Sequence, residues 1–497
     1  MYHLKLLQCF VVTLLLVSLS FLITGCKQRP LNSLFPIEHY DQIITHWINA
    51  SDPNFDAPLL STDMQQKQLD LFYQHYFGLF SPWNSAHVTL ILQAASPSLK
   101  DMEQKVVNKF NNNHQSSVNL GYGENFRPHT QRWIENISQN IYIDQLAHLR
   151  FQKDNRGIAV NNLLVRALPS DDVHFYSDQI AGQGYPFDNL QMTSVWAGTP
   201  VYIIATTHDH AWHLILSPGV IGWVKNNGIA KVDDTFINTW TMAAKKKLAA
   251  ITHTQTSLMD ASNNRFLLTA YVGTVLPAYA ILPSQLRLWV PIADSNGRAV
   301  IKKVTVANNN AVIMPFQATP HHFALIMSTL IDRPYGWGGL YFYNDCAIEL
   351  KNLFTPFGFW LPSHSSNQAT AGKTIDLSTD STEQRLSYLK KQGQPFLTIV
   401  YIGGHVFLYI GNYSDQKTHA LVPMTYQNIW GLKPNPPIRR AIIGKSVLLP
   451  LLLRYPEDVH LSSLAAKKYF KLTYLSELPA ISKQIDIPSF FSLAELD

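Results

Sequence analysis

Hydrophobic periodicity changes character along this chain, and one compact core cannot accommodate the change. Before about residue 150 apolar residues recur at helical spacing, as in Leu99, Met102, Val106 and Phe110, or Trp133, Ile137 and Ile141. From Gly157 to Val232 the pattern turns to short β-type runs bounded by turn residues: Ala159 to Arg166, Pro200 to Ala205, Trp212 to Leu216 and Gly222-Trp223-Val224. A second such set runs through Phe266 to Val275, Leu286 to Ile292 and Ala299 to Ala307. Past Pro320 a helix over His321 to Ile331 leads into a glycine-rich stretch and a second helix near Cys346. Strands at Phe396 to Tyr401, His405 to Ile410 and Ala420 to Tyr426 follow, an α+β order. Close-spaced short strands predict small barrels, although no strict sequence repeat links the two sets. With 497 residues the expectation is a multidomain α+β protein. Its parts are a signal over 1–26, a helical domain over 27–150, β-barrels over 151–245 and 246–312, an α+β module over 313–450, and a tail over 451–497 with helical stretches.

The first residues set the compartment. Lys5 precedes an apolar run from Phe10 to Ile23 that ends in Ile23-Thr24-Gly25-Cys26, a secretory signal with small residues just before a cysteine. The run is short for a membrane span of about 20 residues. It resembles the bacterial lipoprotein signal, which implies cleavage, a lipid on Cys26 and a membrane anchor. Lys27, where an aspartate would retain such a protein at the inner membrane, implies the outer membrane facing the periplasm. Cys9 then leaves with the signal, and of three cysteines Cys346 remains the one thiol in an oxidising compartment. Composition narrows the classes further. An apolar fraction of 46% with 11 tryptophans excludes a disordered chain. The 39 basic and 34 acidic residues, net charge +5, form no extended basic block, which argues against a nucleic-acid partner.

The surroundings of Cys346 carry the chemistry. Pro334-Tyr335-Gly336-Trp337-Gly338-Gly339 is followed by Asn344-Asp345-Cys346-Ala347 and then by Ile348-Glu349-Leu350, a good helix start. A helix N-terminus carries about half a positive charge and favours thiolate over thiol. Some 59 residues on, Gly403-Gly404-His405-Val406-Phe407 opens a strand, and a histidine there can take the thiol proton and return it to a leaving amine.

These motifs, with Phe357-Gly358-Phe359-Trp360-Leu361-Pro362, Ser365, Gln368 and the Gly-His-Val-x-Leu-Tyr-Ile-Gly run, resemble the NlpC family of papain-like cell-wall cysteine peptidases. Arg166-x-x-Pro169, Pro186-Phe187-Asp188 and Gly222-Trp223-Val224 extend the likeness to a bacterial SH3-like domain. The resemblance implies a papain-like α+β catalytic domain behind two SH3-like barrels and a helical N-terminal segment. It further implies hydrolysis, without a cofactor, of a γ-D-glutamyl amide to diaminopimelate or L-lysine in peptidoglycan stem peptides. Cys346 would be the nucleophile, His405 its base, and Tyr335 an oxyanion donor beside the Cys346 amide. Trp337, Asp345 and Ser365 would lie along the substrate. The third polar residue, which orients the imidazole, is either Gln427 in Gln427-Asn428-Ile429-Trp430-Gly431 or His419; an amide oxygen serves as an asparagine does in papain. In relatives of this arrangement the first SH3-like domain recognises the free amine of an N-terminal L-alanine. Ala347 and Ser363 depart from the serine and arginine common in the family and put the stem-peptide contacts in question.

Competing readings are fewer. His208, His210 and His213 concentrate three imidazoles in a predicted barrel loop, but no Glu-bearing helix motif accompanies them, so the expectation is no metal. Neither a phosphate loop nor a Gly-x-Ser-x-Gly elbow is present. A catalytically inactive SH3-like wall-binding lipoprotein is the alternative, and acyl transfer on the same dyad is a third class.

Overall fold

A computed structural model describes residues 32–94, 97–112, 120–180, 183–262, 264–414, 419–434, 440–457 and 461–479. The expected signal and its Cys26 lie outside the described residues. In the N-terminal region the helical stripes form helices, each started by a side-chain cap. Ser98 and Asp101 make a reciprocal capping box for Leu99–Phe110, and Thr130 caps Gln131–Ile141. The buried faces of these helices do not close a core of their own. Leu99, Val106, Phe110, Ile134 and Ile141 share one apolar cluster with Leu214, Ile221 and Trp223 of the first β-unit. Buried Glu103 accepts a 3.0 Å hydrogen bond from Trp223 Nε1 across that junction.

The two β-units have the same topology. In the first, the strands are ordered Gln191–Val195, Leu163–Arg166, Ile221–Lys225, Trp212–Leu216, Pro200–Thr206, Arg156–Ala159 and Ile229–Lys231. In the second they run Phe266–Ala270, Thr256–Asp260, Ala299–Ala307, Gln285–Ala293, Val275–Ile281, Leu248–Ile251 and Ala311–Ile313. Numbered within each unit, both orders read 3-2-6-5-4-1-7, a duplication that the sequences do not display. The expected closed barrels are not formed: among the described residues no pairing joins the end strands of either sheet. The free edges are met from outside instead, as edge strands need to be. Gln191 Nε2 on the first edge donates to Gly338 O at 2.7 Å, and Asn162 Nδ2 donates to Thr269 O of the second edge at 2.7 Å.

The third sheet belongs to the α+β module. Its order is Asn32–Leu34, Arg440–Pro450, Leu421–Leu432, Val406–Ser414, Thr398–Tyr401, Lys471–Tyr474 and Lys373–Asp376. All pairings are antiparallel except that of Asn32–Leu34 with Arg440–Ile442. Two expectations are corrected here. The tail read as helical places the strand Lys471–Tyr474 inside the sheet, paired with Thr398–Tyr401. The segment assigned to the helical N-terminal domain begins as an edge strand of the same sheet. Leu472 and Tyr474 are buried in its apolar cluster, so burial outweighed the weak local helical signal.

Candidate active site

The helix Cys346–Phe354 presents Cys346 at its first position, 7% exposed and in no disulfide. Asp345 caps it: Oδ1 accepts from Ala347 N at 3.0 Å and Ile348 N at 2.9 Å, while Oδ2 accepts from Gly338 N at 3.1 Å. One carboxylate thus starts the helix and ties the glycine loop to it. Gly338 has φ +56, and a Cβ there would sit 2.6 Å from Gln191 O, so a side chain would force the SH3-like edge away. Behind the thiol, Glu349 is fully buried and accepts from Asn344 Nδ2 at 2.6 Å, Ser446 Oγ at 2.9 Å and the Tyr426 hydroxyl. Asn428 Nδ2 donates to Asn344 O at 2.9 Å. Burial raises the Glu349 carboxyl, and the three donors oppose that shift. Tyr426 and Asn428 therefore hold the turn that carries Cys346 against the sheet.

Between them on the same strand, Gln427 points elsewhere, since side chains alternate across a strand. It is 1% exposed, and its Oε1 lies 2.8 Å from His405 Nε2. The polarity of that bond follows from the next links. Thr425 Oγ1 donates to Leu449 O at 2.6 Å and so accepts from Gln427 Nε2 at 3.0 Å. The amide oxygen is left to face the imidazole, which must carry its proton on Nε2, and Nδ1 is the basic nitrogen. Burial pushes the imidazole down to about 4, assisted by Lys467, while the Gln427 bond opposes the shift. His405 is consequently neutral near pH 7. His419 sits exposed with φ +55 ahead of the strand Leu421–Leu432, at the far end of the hairpin from His405; Leu408 pairs with Tyr426, and Ser414 with Leu421.

Cys346 lines an open cleft together with Tyr335, Trp337, Asp345 and Ser365. The Tyr335 hydroxyl is held well above its usual range by burial, with Cys346 and Asp345 adding to the shift, so it remains a donor. Trp337 meets Phe187 edge-on at 5.1 Å, and Phe187 in turn meets Trp430 at 5.5 Å. Ser365 begins a short helix whose Gln368 Nε2 donates to Ala347 O at 2.8 Å. The opposite wall comes from the first β-unit, through Asn189, Gln191 and Met192. Asp188 of the Pro186-Phe187-Asp188 motif is fully buried and bound to Arg166 Nη1 at 2.5 Å, so that motif builds the wall rather than facing the cleft. Of the clustered histidines, His213 Nδ1 pairs with Thr206 Oγ1 at 2.9 Å and His210 lies in a turn with φ +59.

The family profiles that match are an SH3 domain of the SH3b1 type over residues 174–225 and the NLPC_P60 stabilising domain, N-terminal, over residues 13–145. Among solved structures, an NlpC/P60 endopeptidase from Photobacterium damselae subsp. piscicida is 30% identical, with a TM-score of 0.76 over 90% of this chain and 100% of that one. The chain belongs to the NlpC/P60 family of cysteine peptidases. An NlpC/P60 family protein from Bacillus cereus is 16% identical over 55% of this chain and 81% of that one, at a TM-score of 0.38. No curated protein matches the chain.

Within this NlpC/P60 peptidase several site residues were not singled out by sequence reasoning. Asn344, Glu349 and Tyr426 carry the clamp behind the thiol, and Asn189, Gln191 and Met192 complete the cleft. A signal for the clamp was available in principle: Tyr426 and Asn428 alternate with Gln427, and Glu349 is an acid between the apolar Ile348 and Leu350. The wall residues carry no such mark, because only the packing of one unit on another brings them to the cleft.

Proposed function

We propose that this peptidase hydrolyses the amide between γ-D-glutamate and diaminopimelate or L-lysine in peptidoglycan stem peptides that retain a free N-terminal L-alanine. The observation that carries the reading is the His405–Gln427 hydrogen bond, whose polarity is set by Thr425 and leaves a neutral imidazole basic at Nδ1. In this reading Nδ1 takes the Cys346 thiol proton and the thiolate attacks the amide carbonyl. The oxyanion is met by the Tyr335 hydroxyl and the Cys346 N–H at the helix head. The intermediate collapses to a thioester as the amine leaves with the proton from the imidazolium. Water, deprotonated at the same nitrogen, then releases the acid. Gln427 accepts from Nε2–H throughout and stabilises the cation that forms.

The wall of Asn189, Gln191 and Met192 supports selection of released peptides, because a preformed wall met by the peptide's amino end would exclude a muramic acid there. The shared strand order supports reading the second β-unit as SH3-like too. Anchoring by a lipid on Cys26, at the outer membrane facing the periplasm, completes the proposal and rests on the signal sequence alone. The test compares free L-Ala-γ-D-Glu-diaminopimelate with the same peptide carrying muramic acid, products being weighed by mass spectrometry. Cleavage between glutamate and diaminopimelate in the free peptide, at a rate well above that of the muramyl form, is expected. Equal rates on both would remove the gatekeeping role, and no cleavage at that bond would remove the substrate assignment.

A further inference from the structure

Next to the catalytic cleft lies a second, partly open hollow lined by the first β-unit, the helix Cys346–Phe354 and Trp360. Ser363 lines both spaces. So does one face of the helix: Ala347 borders the cleft and Lys351 the hollow, and residues four apart lie one above the other at about 6 Å. Helical side chains lean toward the N-terminus, which brings the Lys351 ammonium back toward Ala347. Its Nζ lies 3.5 Å from Ser363 Oγ, at the boundary of the two spaces. Gly219 stands beside that boundary, where a Cβ would come within 3.0 Å of Ser363 Oγ.

Lys351 has charge to spare. Among the described residues it makes no ion pair, unlike Lys225 with Asp171 or Lys445 with Asp332. The acid that acts on it is Asp345, whose oxygens already accept three backbone amides. Burial pushes the ammonium down to about 8. A second group in the same hollow awaits a partner: Ser194 is 1% exposed and its Oγ makes no hydrogen bond. A buried cation and an unsatisfied hydroxyl that line one hollow are each costly unless a polar or anionic partner arrives from outside.

We propose that Lys351, with Ser363 and Ser194, binds the free α-carboxylate of the residue that donates the acyl group, and so makes the enzyme select that carboxylate over its amide. The inference rests on the γ-glutamyl reading above. A γ-linked glutamate keeps its α-carboxylate four bonds from the scissile carbonyl, roughly 5 Å when extended. That span is comparable to the one helical turn between Ala347 and Lys351.

The experiment measures kcat/KM for L-Ala-γ-D-Glu-L-Lys, for its α-amide (the isoglutamine peptide) and for the peptide amidated only on the leaving lysine. Each is run with wild type, Lys351→Met and Lys351→Arg. Wild type is expected to favour the free α-carboxylate roughly ten- to a hundredfold, the size of a charge-assisted bond, and to be indifferent to the leaving-side amide. Lys351→Met should lose that preference through the carboxylate substrate alone, and Lys351→Arg should keep most of it. In wild type the preference should also fade as pH rises past about 8, where free Lys351 loses its proton. An unchanged preference in Lys351→Met, or none in wild type, overturns the proposal while cleavage itself still supports the γ-glutamyl reading. Selection against the leaving-side amide instead assigns Lys351 to the wrong side of the bond and also overturns it. If no peptide is cleaved, calorimetric titration of Cys346→Ala with L-Ala-γ-D-Glu and its α-amide decides. Equal binding of the two refutes the carboxylate site, and tighter binding of the acid that disappears in Cys346→Ala/Lys351→Met upholds it.

Discussion

Replacing Gln427 by alanine removes the one acceptor that the structure gives to His405 Nε2 and leaves the Thr425 hydroxyl without its amide donor. The lost bond is to a group that becomes a cation during acylation, and hydrogen bonds to charged groups contribute about 1.5–3 kcal/mol. Because the bond strengthens as the imidazole gains its proton, that loss falls on the transition state. It should lower kcat about 10- to 150-fold with little change in KM. The pH profile separates this positioning role from simple loss of packing. Gln427 favours the protonated imidazole and opposes the burial that lowers it to about 4. Its removal therefore moves the acid limb of kcat/KM to lower pH, whereas Gln427→Glu, by placing a carboxylate there, moves it to higher pH. Steady-state rates on L-Ala-γ-D-Glu-diaminopimelate between pH 3 and 9 give both numbers. A larger loss in His419→Ala than in Gln427→Ala, or acid limbs that do not move in opposite directions, would refute the reasoning.

Three further outcomes are expected. Glu103 is held up to about 8 by burial, against its bond from Trp223, so the folded state keeps a proton that the unfolded chain releases near 4.5. Stability should then fall as pH rises between those values, by an amount on the order of 4 kcal/mol. Glu103→Gln should flatten that slope in urea titrations at pH 5 and 8; a parallel slope in the variant would assign the effect to another group. Gly338→Ala places a Cβ 2.6 Å from Gln191 O in a left-handed backbone, so stability should drop by more than the ~1–2 kcal/mol such a conformation costs an alanine, and turnover should fall with the displaced cleft wall. Wild-type turnover with an unshifted melting temperature would show that the junction tolerates a side chain. Labelled palmitate should enter the wild-type protein and be absent from Cys26→Ser; an unlabelled wild type would rule out the lipid anchor.

Local sequence was enough for the parts whose physics is local. The helices of the N-terminal region are marked by apolar residues at spacings of three and four and by the caps Ser98 and Thr130. The Asp345-Cys346 helix start after a glycine loop is legible for the same reason: a cap and its helix are decided within a few residues. What the sequence left open depended on partners well beyond that local range. The strand Lys471–Tyr474 has weak local preference and exists because a gap in the sheet between Thr398–Tyr401 and Lys373–Asp376 buries it. That Gln427 and not His419 meets His405 awaited a hairpin register, since the nine-residue strand Val406–Ser414 separates His405 from the turn where His419 lies. Nor could composition reveal that Glu349, Lys351 and Ser194 lose their water, because burial is a property of packed units and not of a residue. Chain-local hydrogen bonds and periodicity thus determined the elements and the setting of Cys346. Long-range burial alone decided which polar groups face each other across the cleft.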